Sequence, residues 1–263
     1  PQTWEELKEQ AKKAAQDNDI RNGFVFQGSN YEGGVVNGLE YIYSFGGNVL
    51  DPDDPSRVVI DSQESVDGLA MEQSMVEEGV APQAVANYTE TESHTAFLNG
   101  DAVFLRNWPY VYGLIGTDDF PNVKKEQVGV APLPAGPAGS KPGLGGWNFM
   151  INAASDAQDA AYQFVQFATA PEQQKFRALE GGFLPTLSEL YEDQEIIDAI
   201  PVIRLAGQEA LQNATPRPVS PYYSDMSLQM AEQFNNVVKG AASPEQAVQS
   251  LQESLQQIVE QAQ

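Results

Sequence analysis

Apolar residues recur along this chain at two spacings, and the spacing predicts the elements. Trp4, Leu7, Ala11, Ala14 and Ala15 follow a helical period behind Thr3, and Glu6 stands three residues after Thr3 as the second half of a capping box. That helix is expected to end near Asp17 and Asn18. Residues 23–27 read as a short strand and 28–30 as a polar turn. An apolar helix follows from about Val35 to Phe45, stopped by Gly46-Gly47. Residues 48–50 read as a strand, and 51–57 as an acidic turn containing proline. Ser62 or Ser65 can cap a helix running to about Glu78, with Leu69, Met71, Met75 and Val76 as its apolar positions and Gly79 as its stop. A further helix is expected over 90–99.

Three runs are apolar without alternation. Residues 102–105, bounded by Asp101 and Arg106, fit a strand buried on both faces of an α/β sheet. Residues 128–131 and 149–151 read as two more strands. From Asp156 onward the pattern is helical: Tyr162, Val165, Phe167 and Ala168 sit near the period, and Pro171 opens a helix that Gly181-Gly182 closes. Helices are also expected at 189–190, 196–210, 227–238 and 244–259, with an irregular stretch over 215–223. No repeat occurs in the sequence. Strands early and helices late imply a mixed α/β fold.

Composition narrows the function classes. The chain has 263 residues, of which 41% are hydrophobic, enough for one large domain or two small lobes. Lys and Arg number 14 against 37 Asp and Glu, a net charge of -23. Such a surface repels nucleic-acid phosphates and anionic lipid. It also keeps a protein dispersed in concentrated salt, which implies a halophilic source. There is no cysteine, so thiolate metal sites, disulfides and Cys nucleophiles are excluded. His94 is the one histidine.

No motif carries catalysis. A Gly-x-Ser-x-Gly elbow is absent, and residues 136–141 lack the Gly-Lys-Ser/Thr ending of a phosphate loop. Asp51, Asp53 and Asp54 resemble half a calcium loop, but Ser62 occupies the position of the bidentate Glu. His94, flanked by polar residues, reads as a partly exposed helix histidine. No carboxylate pair stands out as a glycosidase acid and base.

The informative residues are aromatic. Trp108, then Pro109 and Tyr110, follow the buried run 102–105 by three residues, and ligands of open α/β sheets bind beyond the carboxyl ends of strands. Trp147 stands behind Gly145-Gly146, where another group can approach the backbone. Tyr31 follows the strand expected to end at Gln27, and Tyr222 and Tyr223 share a proline-flanked loop with Arg217. Aromatic rings cover the apolar faces of a pyranose while planar donors and carboxylates meet its hydroxyls.

These stretches resemble the solute-binding proteins of sugar ABC importers. The resemblance rests on Thr95-Ala96-Phe97-Leu98-Asn99-Gly100-Asp101-Ala102-Val103-Phe104, Asn107-Trp108-Pro109-Tyr110, Val128 to Pro134, Gly145-Gly146-Trp147-Asn148 and Ile151 to Ser155. The opening Pro1-x-Thr3-Trp4-Glu5-Glu6-Leu7, Tyr31-Glu32-Gly33 and Arg217-Pro218-x-x-Pro221-Tyr222-Tyr223 add to it. The trehalose/maltose-binding group is the nearest branch. The resemblance implies an α/β, periplasmic-binding-protein-like type II fold with two lobes, the C-terminal lobe mostly complete and the N-terminal lobe partial. It assigns 1–140 and 189–263 to the C-terminal lobe and 141–188 to a return segment of the N-terminal lobe. The family's Pro-x-Thr-Trp motif is internal, so about the first third of the protein is expected to be absent here.

The implied mechanism is hinge closure of two lobes on a disaccharide or small oligosaccharide, delivered to the permease subunits of an ABC importer. Trp108, Tyr110 and Trp147 would stack on the sugar, Gly146 would offer backbone, and Tyr31 and Arg217 would add polar contacts. The expectation is a monomer without catalytic residues, metal or cofactor. It would lie outside the cell or in a periplasm, and meet the membrane only through the permease or a lipid anchor outside this sequence. A lectin or a carbohydrate-active enzyme could use the same aromatics, and a docking sensor could keep the same fold.

Overall fold

The computed structural model describes residues 1–205 and 210–261. The principal elements, in chain order, are helix α1 (Trp4–Asn18), strand β1 (Asn22–Val25) and helices α2 (Glu32–Phe45), α3 (Gln63–Glu77) and α4 (Glu90–Leu98). Strands β2 (Ala102–Leu105) and β3 (Gly143–Leu144) come next, then helices α5 (Gln158–Thr169), α6 (Pro171–Gly181) and α7 (Gln194–Ala199). Strand β4 (Thr215–Pro216) and helices α8 (Tyr223–Val238) and α9 (Pro244–Gln261) follow. β1 pairs in parallel with β2, in the register Asn22↔Ala102, Phe24↔Phe104 and Val25↔Leu105. β3 pairs in parallel with β4 through Gly143↔Thr215 and Leu144↔Pro216.

The chain forms two compact units. Unit 1 takes 1–107, 131–144 and 213–263, and unit 2 takes 108–130 and 145–212. The backbone therefore passes from one unit to the other after residues 107, 130, 144 and 212. The expected return segment 141–188 enters unit 2 at Gly145.

Unit 1 is built around α2. Val35, Leu39 and Ile42 of this helix pack with Leu69 of α3, with Met230 and Phe234 of α8, and with Leu251 and Leu255 of α9. A helix buried on nearly every side needs notches where neighbours approach. At Gly38 a Cβ would lie 2.6 Å from the Phe234 ring, and at Gly68 it would lie 2.8 Å from the Tyr41 carbonyl oxygen. A second core joins Trp4, Leu7 and Ala11 to Phe24, Phe26, Tyr41 and Met75. There the Trp4 ring stacks on Tyr41 at 4.1 Å while its Nε1–H donates to Ser44 Oγ at 3.0 Å. Unit 2 has a smaller core around Ala178, Leu190, Ile196, Ile200 and Ile203.

Most local stop and start signals act as the sequence reading expects. Thr3 Oγ1 accepts the Glu6 amide at 3.1 Å, but the expected capping box is only half formed, because Glu6 Oε2 accepts the Gln2 amide at 2.7 Å rather than that of Thr3. Of the two serines considered, Ser62 caps α3, accepting the Ser65 amide at 3.2 Å. Gly46 and Gly182 end α2 and α6 at positive φ.

Other expectations are corrected. α2 starts at Glu32 rather than Val35, and α8 at Tyr223 rather than Ser227. Residues 128–131 and 149–151 form no strand. An apolar run becomes a strand only with a pairing neighbour, and none lies beside these runs among the described residues. Leu50 makes one antiparallel bridge to Val58 instead of a strand over 48–50. Residues 188–192 form a 3₁₀ turn. The helix expected over 196–210 is interrupted where Pro201 withholds an N–H, giving α7 and a short turn at Val202–Leu205. Its stretch 206–209 lies outside the described residues. His94 is buried, not partly exposed, and burial depresses its basicity against the pull of Glu92 and Glu90.

Candidate functional site

In unit 1 the relevant residues gather at the N-terminus of α2. Tyr31 is the N-cap residue, in extended backbone, and its ring folds over the next turn. A Cβ on Gly33 would fall 2.2 Å from the Tyr31 hydroxyl, so any side chain there would push the Tyr31 ring out of this position. Glu32 opens the helix, where a carboxylate meets the positive end of the macrodipole. Its Oε1 accepts hydrogen bonds from Arg217 Nη1 and from the Tyr223 hydroxyl at 2.6 Å, while Oε2 accepts from Ser227 Oγ. Partial burial pushes the Glu32 pKa up. The donors Ser227, Tyr223 and Arg217 outweigh that effect and hold it below the ordinary carboxylate range. The Arg217 guanidinium also lies 5.7 Å from the centre of the Tyr223 ring. Arg217, expected as a ligand contact, is thus fixed by an ion pair to Glu32. Glu32 itself was passed over in the sequence, although it stands inside the Tyr31-Glu32-Gly33 motif.

In unit 2, Trp108 and Tyr110 lie in a half-buried turn. The Tyr110 ring stacks on Phe183 with centroids 6.4 Å apart, and the turn presses on Gly182, where a Cβ would meet the Tyr110 carbonyl oxygen at 3.2 Å. Gly146 is exposed, and Trp147 is 100% exposed. Trp147, Phe149, Arg177 and Phe183 line a cleft of about 390 Å³. Its floor is polar. Buried Gln174 accepts the Thr186 amide at 2.8 Å and donates to the Thr169 carbonyl at 2.7 Å, and Arg177 Nη1 donates to the Ala168 carbonyl at 2.7 Å. Unit 2 thus places Phe183 both in a ring stack with Tyr110 and, with Trp147, in the lining of one cleft. That residue and Arg177 escaped the sequence reading. The one signal was the Gly181-Gly182 stop, which turns the chain so that Phe183 emerges.

A buried polar network lies inside unit 1. Arg106, two residues before Trp108, donates to both oxygens of Glu40, at 2.8 Å and 2.6 Å, and to Gln27 Oε1 at 2.9 Å. Gln27 Nε2 donates to Ser93 Oγ at 2.6 Å and to the Arg106 carbonyl at 3.0 Å. Asn107 Nδ2 donates to Ser93 Oγ at 3.1 Å. The Gly143 amide donates to Glu40 Oε1 at 3.0 Å.

Among the described residues no helix is long and apolar enough to cross a membrane. Residues 1–175 match the family model described as bacterial extracellular solute-binding protein. A probable ABC transporter-binding protein of Deinococcus radiodurans is 34% identical over 268 residues, covering 98% of this chain and 62% of the relative. A maltotriose-binding protein of Pyrococcus abyssi is 32% identical, covering 84% of this chain and 46% of that protein. Among solved structures, maltose-bound MalE3 of T. maritima superposes with a TM-score of 0.90 at 38% identity, over 98% of this chain and 66% of that one. The chain spans less than two thirds of each of these proteins.

Proposed function

The chain belongs to the bacterial extracellular solute-binding protein family, and from that premise we propose that it takes part in capturing a disaccharide or small oligosaccharide outside the cell for an ABC importer. The observation that carries the reading is the pairing, in each unit, of accessible aromatic rings with a fixed guanidinium. Unit 1 offers Tyr31 and Tyr223 with Arg217 held on Glu32, and unit 2 offers Trp147 and Phe183 with Arg177. Rings suit the C–H faces of a sugar, and a guanidinium that is already ordered loses little freedom when it meets a hydroxyl. Two relatives point the same way, since one is named for maltotriose and another was solved with maltose. In this reading Trp108, Tyr110, Trp147, Gly146, Tyr31 and Arg217 contact the sugar, and no residue performs catalysis. The partners are the sugar and the permease subunits of the importer.

The same proposal extends to the lobes. Phe149, Met150, Tyr162, Phe164, Phe167 and Phe176 of unit 2 are each more than half exposed. A face this apolar is covered in a functioning protein. The relatives carry more than a third of their length outside the matched region, and in this reading the corresponding segment lies over the face and completes the lobe that unit 2 begins. Titration of intrinsic tryptophan fluorescence with maltose, trehalose, maltotriose, sucrose and glucose tests the reading, on this chain and on one extended to the relatives' length. Saturable change with one oligosaccharide, weakened at least tenfold by Trp108→Ala, is expected. No response to any sugar in either chain overturns it.

A further inference from the structure

Three of the four places where the backbone leaves or enters unit 1 begin within a few residues of one buried carboxylate. Glu40, on α2, is 3% exposed. Its first partner is Arg106, whose fork reaches both carboxylate oxygens one residue before Asn107, the last residue of that segment of unit 1. Its second is the amide of Gly143, one residue before Leu144, where the chain leaves unit 1 again. The third connection is tied to the second. β4 re-enters unit 1 by pairing with β3, and the Thr215 amide donates to the Pro142 carbonyl at 2.9 Å. Gly143 can lie this close only because it lacks a side chain, since a Cβ there would be 2.6 Å from Val36 Cγ1.

Each anchored root leads into a residue of the proposed sugar contacts. Trp108 is two residues beyond Arg106, Trp147 four beyond Gly143, and Arg217 two beyond Thr215. The anchor holds the unit 1 ends of these segments, at Arg106, Gly143 and Thr215. A bidentate guanidinium–carboxylate pair is the least compliant of side-chain ties, and burial removes the water that would compete for it. Gln27 Oε1 accepts from the third guanidinium nitrogen, Nη1, and Gln27 Nε2 donates to the Arg106 carbonyl, so the arginine is held from a second side.

We propose that Glu40 is a positioning residue: through Arg106 and the Gly143 amide it fixes the roots of the three segments that carry Trp108, Trp147 and Arg217, and it sets ligand affinity without touching ligand. The part that concerns affinity rests on the sugar-binding reading above. The part that concerns anchoring does not.

The test uses Glu40→Gln and the double variant Glu40→Gln/Arg106→Gln, which removes both charges so that neither is stranded in the interior. The double variant serves alone if the single one does not fold. Amide hydrogen exchange is followed at Arg106–Trp108, Gly143–Leu144 and Thr215, with the centres of α3 and α8 as internal references, and maltose and maltotriose are titrated in parallel. Exchange at the three roots is expected to accelerate at least tenfold while the references keep their protection, and sugar affinity is expected to fall at least tenfold. Unchanged exchange at the roots, or an equal rise at the roots and in both reference helices, overturns the anchor. Faster exchange with undiminished affinity overturns the positioning role. Failure of the unsubstituted chain, at either length, to bind any sugar overturns the sugar reading instead, and the exchange data then decide the anchor by themselves.

Discussion

Unit 1 and unit 2 treat apolar residues in opposite ways. Unit 1 encloses Trp4, Tyr41, Phe26 and Phe234 completely and gives many of its buried polar groups partners, with Tyr41 Oη and Glu72 Oε2 as exceptions among the described residues. Asn235, for example, donates to the carbonyls of Gly28 and Ala86, and Arg106 is ringed by Glu40 and Gln27. Unit 2 has a core of small and aliphatic residues and leaves its phenylalanines outside. Met150 is 92% exposed and Phe167 60%. Helix propensity cannot explain the contrast, because α5 and α6 are well formed. What differs is supply. α2 is surrounded by α3, α8 and α9, whereas among the described residues Tyr162, Phe164 and Phe167 of α5 stay exposed. An amphipathic helix buries its apolar stripe only against a partner, so the exposed stripe marks where a partner belongs.

The comparison breaks most visibly in the core of unit 1. Phe234→Ala empties the notch at Gly38 and should cost about 3–5 kcal/mol, measured by urea unfolding. Phe167→Ala should change the stability of this chain by under about 0.5 kcal/mol, because the ring already stands in water. A loss above about 2 kcal/mol at Phe167 would mean that the face is covered after all.

Acidity separates the units next. Glu72 is wholly buried in unit 1. Asn37 donates to its Oε1 at 2.6 Å, while its Oε2 has no hydrogen-bond partner among the described residues. Burial, reinforced by nearby Glu40, pushes its pKa to about 8 from 4.5. The folded state then binds a proton that the unfolded chain has released, so this contribution is complete below about pH 4.5 and is lost as the pH rises to about 8. A few kcal/mol are at stake, at about 1.4 kcal/mol per pKa unit. Glu72→Gln keeps the neutral shape and should flatten the decline. An unaltered pH profile would show that Glu72 is charged in the fold.

The smallest effect concerns a cap. Ser62→Ala removes the acceptor for the Ser65 amide and should lower stability by about 1 kcal/mol, seen as a small shift of the thermal midpoint.

What the sequence made legible was local. Thr3 with Glu6, Ser62, Gly46 and Gly182 act within one helical turn, so their signals need no knowledge of the rest. The β1–β2 pair was half legible: residues 102–105 read as a buried strand, while β1 starts one residue earlier and ends two residues earlier than the 23–27 expected. Residues 128–131 and 149–151 misled because an apolar run carries no information about whether a neighbouring strand exists. The candidate site divides the same way. Trp108, Tyr110, Trp147, Tyr31 and Arg217 stand out by type and by their turns, and remain proposals. Glu40 and Arg106 are 66 residues apart, and nothing in either neighbourhood announces the other. His94 was misjudged because its polar neighbours say nothing of what packs above it.

The arrangement of unit 1 also sets the order in which the protein can be made. The backbone of Val58 is gripped from both sides by α9, through Gln256 Oε1 at 3.2 Å and Gln252 Nε2 at 2.9 Å, across sequence separations of 198 and 194 residues. During synthesis α2 and α3 leave the ribosome long before the helices that cover them, and all of unit 2 is translated in between. Contacts this distant in sequence close slowly because loop entropy is lost before packing rewards it. The apolar sides of α2 and α3 are therefore without their covering helices for most of the time the polypeptide is growing, and the arrival of α8 and α9 is what encloses them.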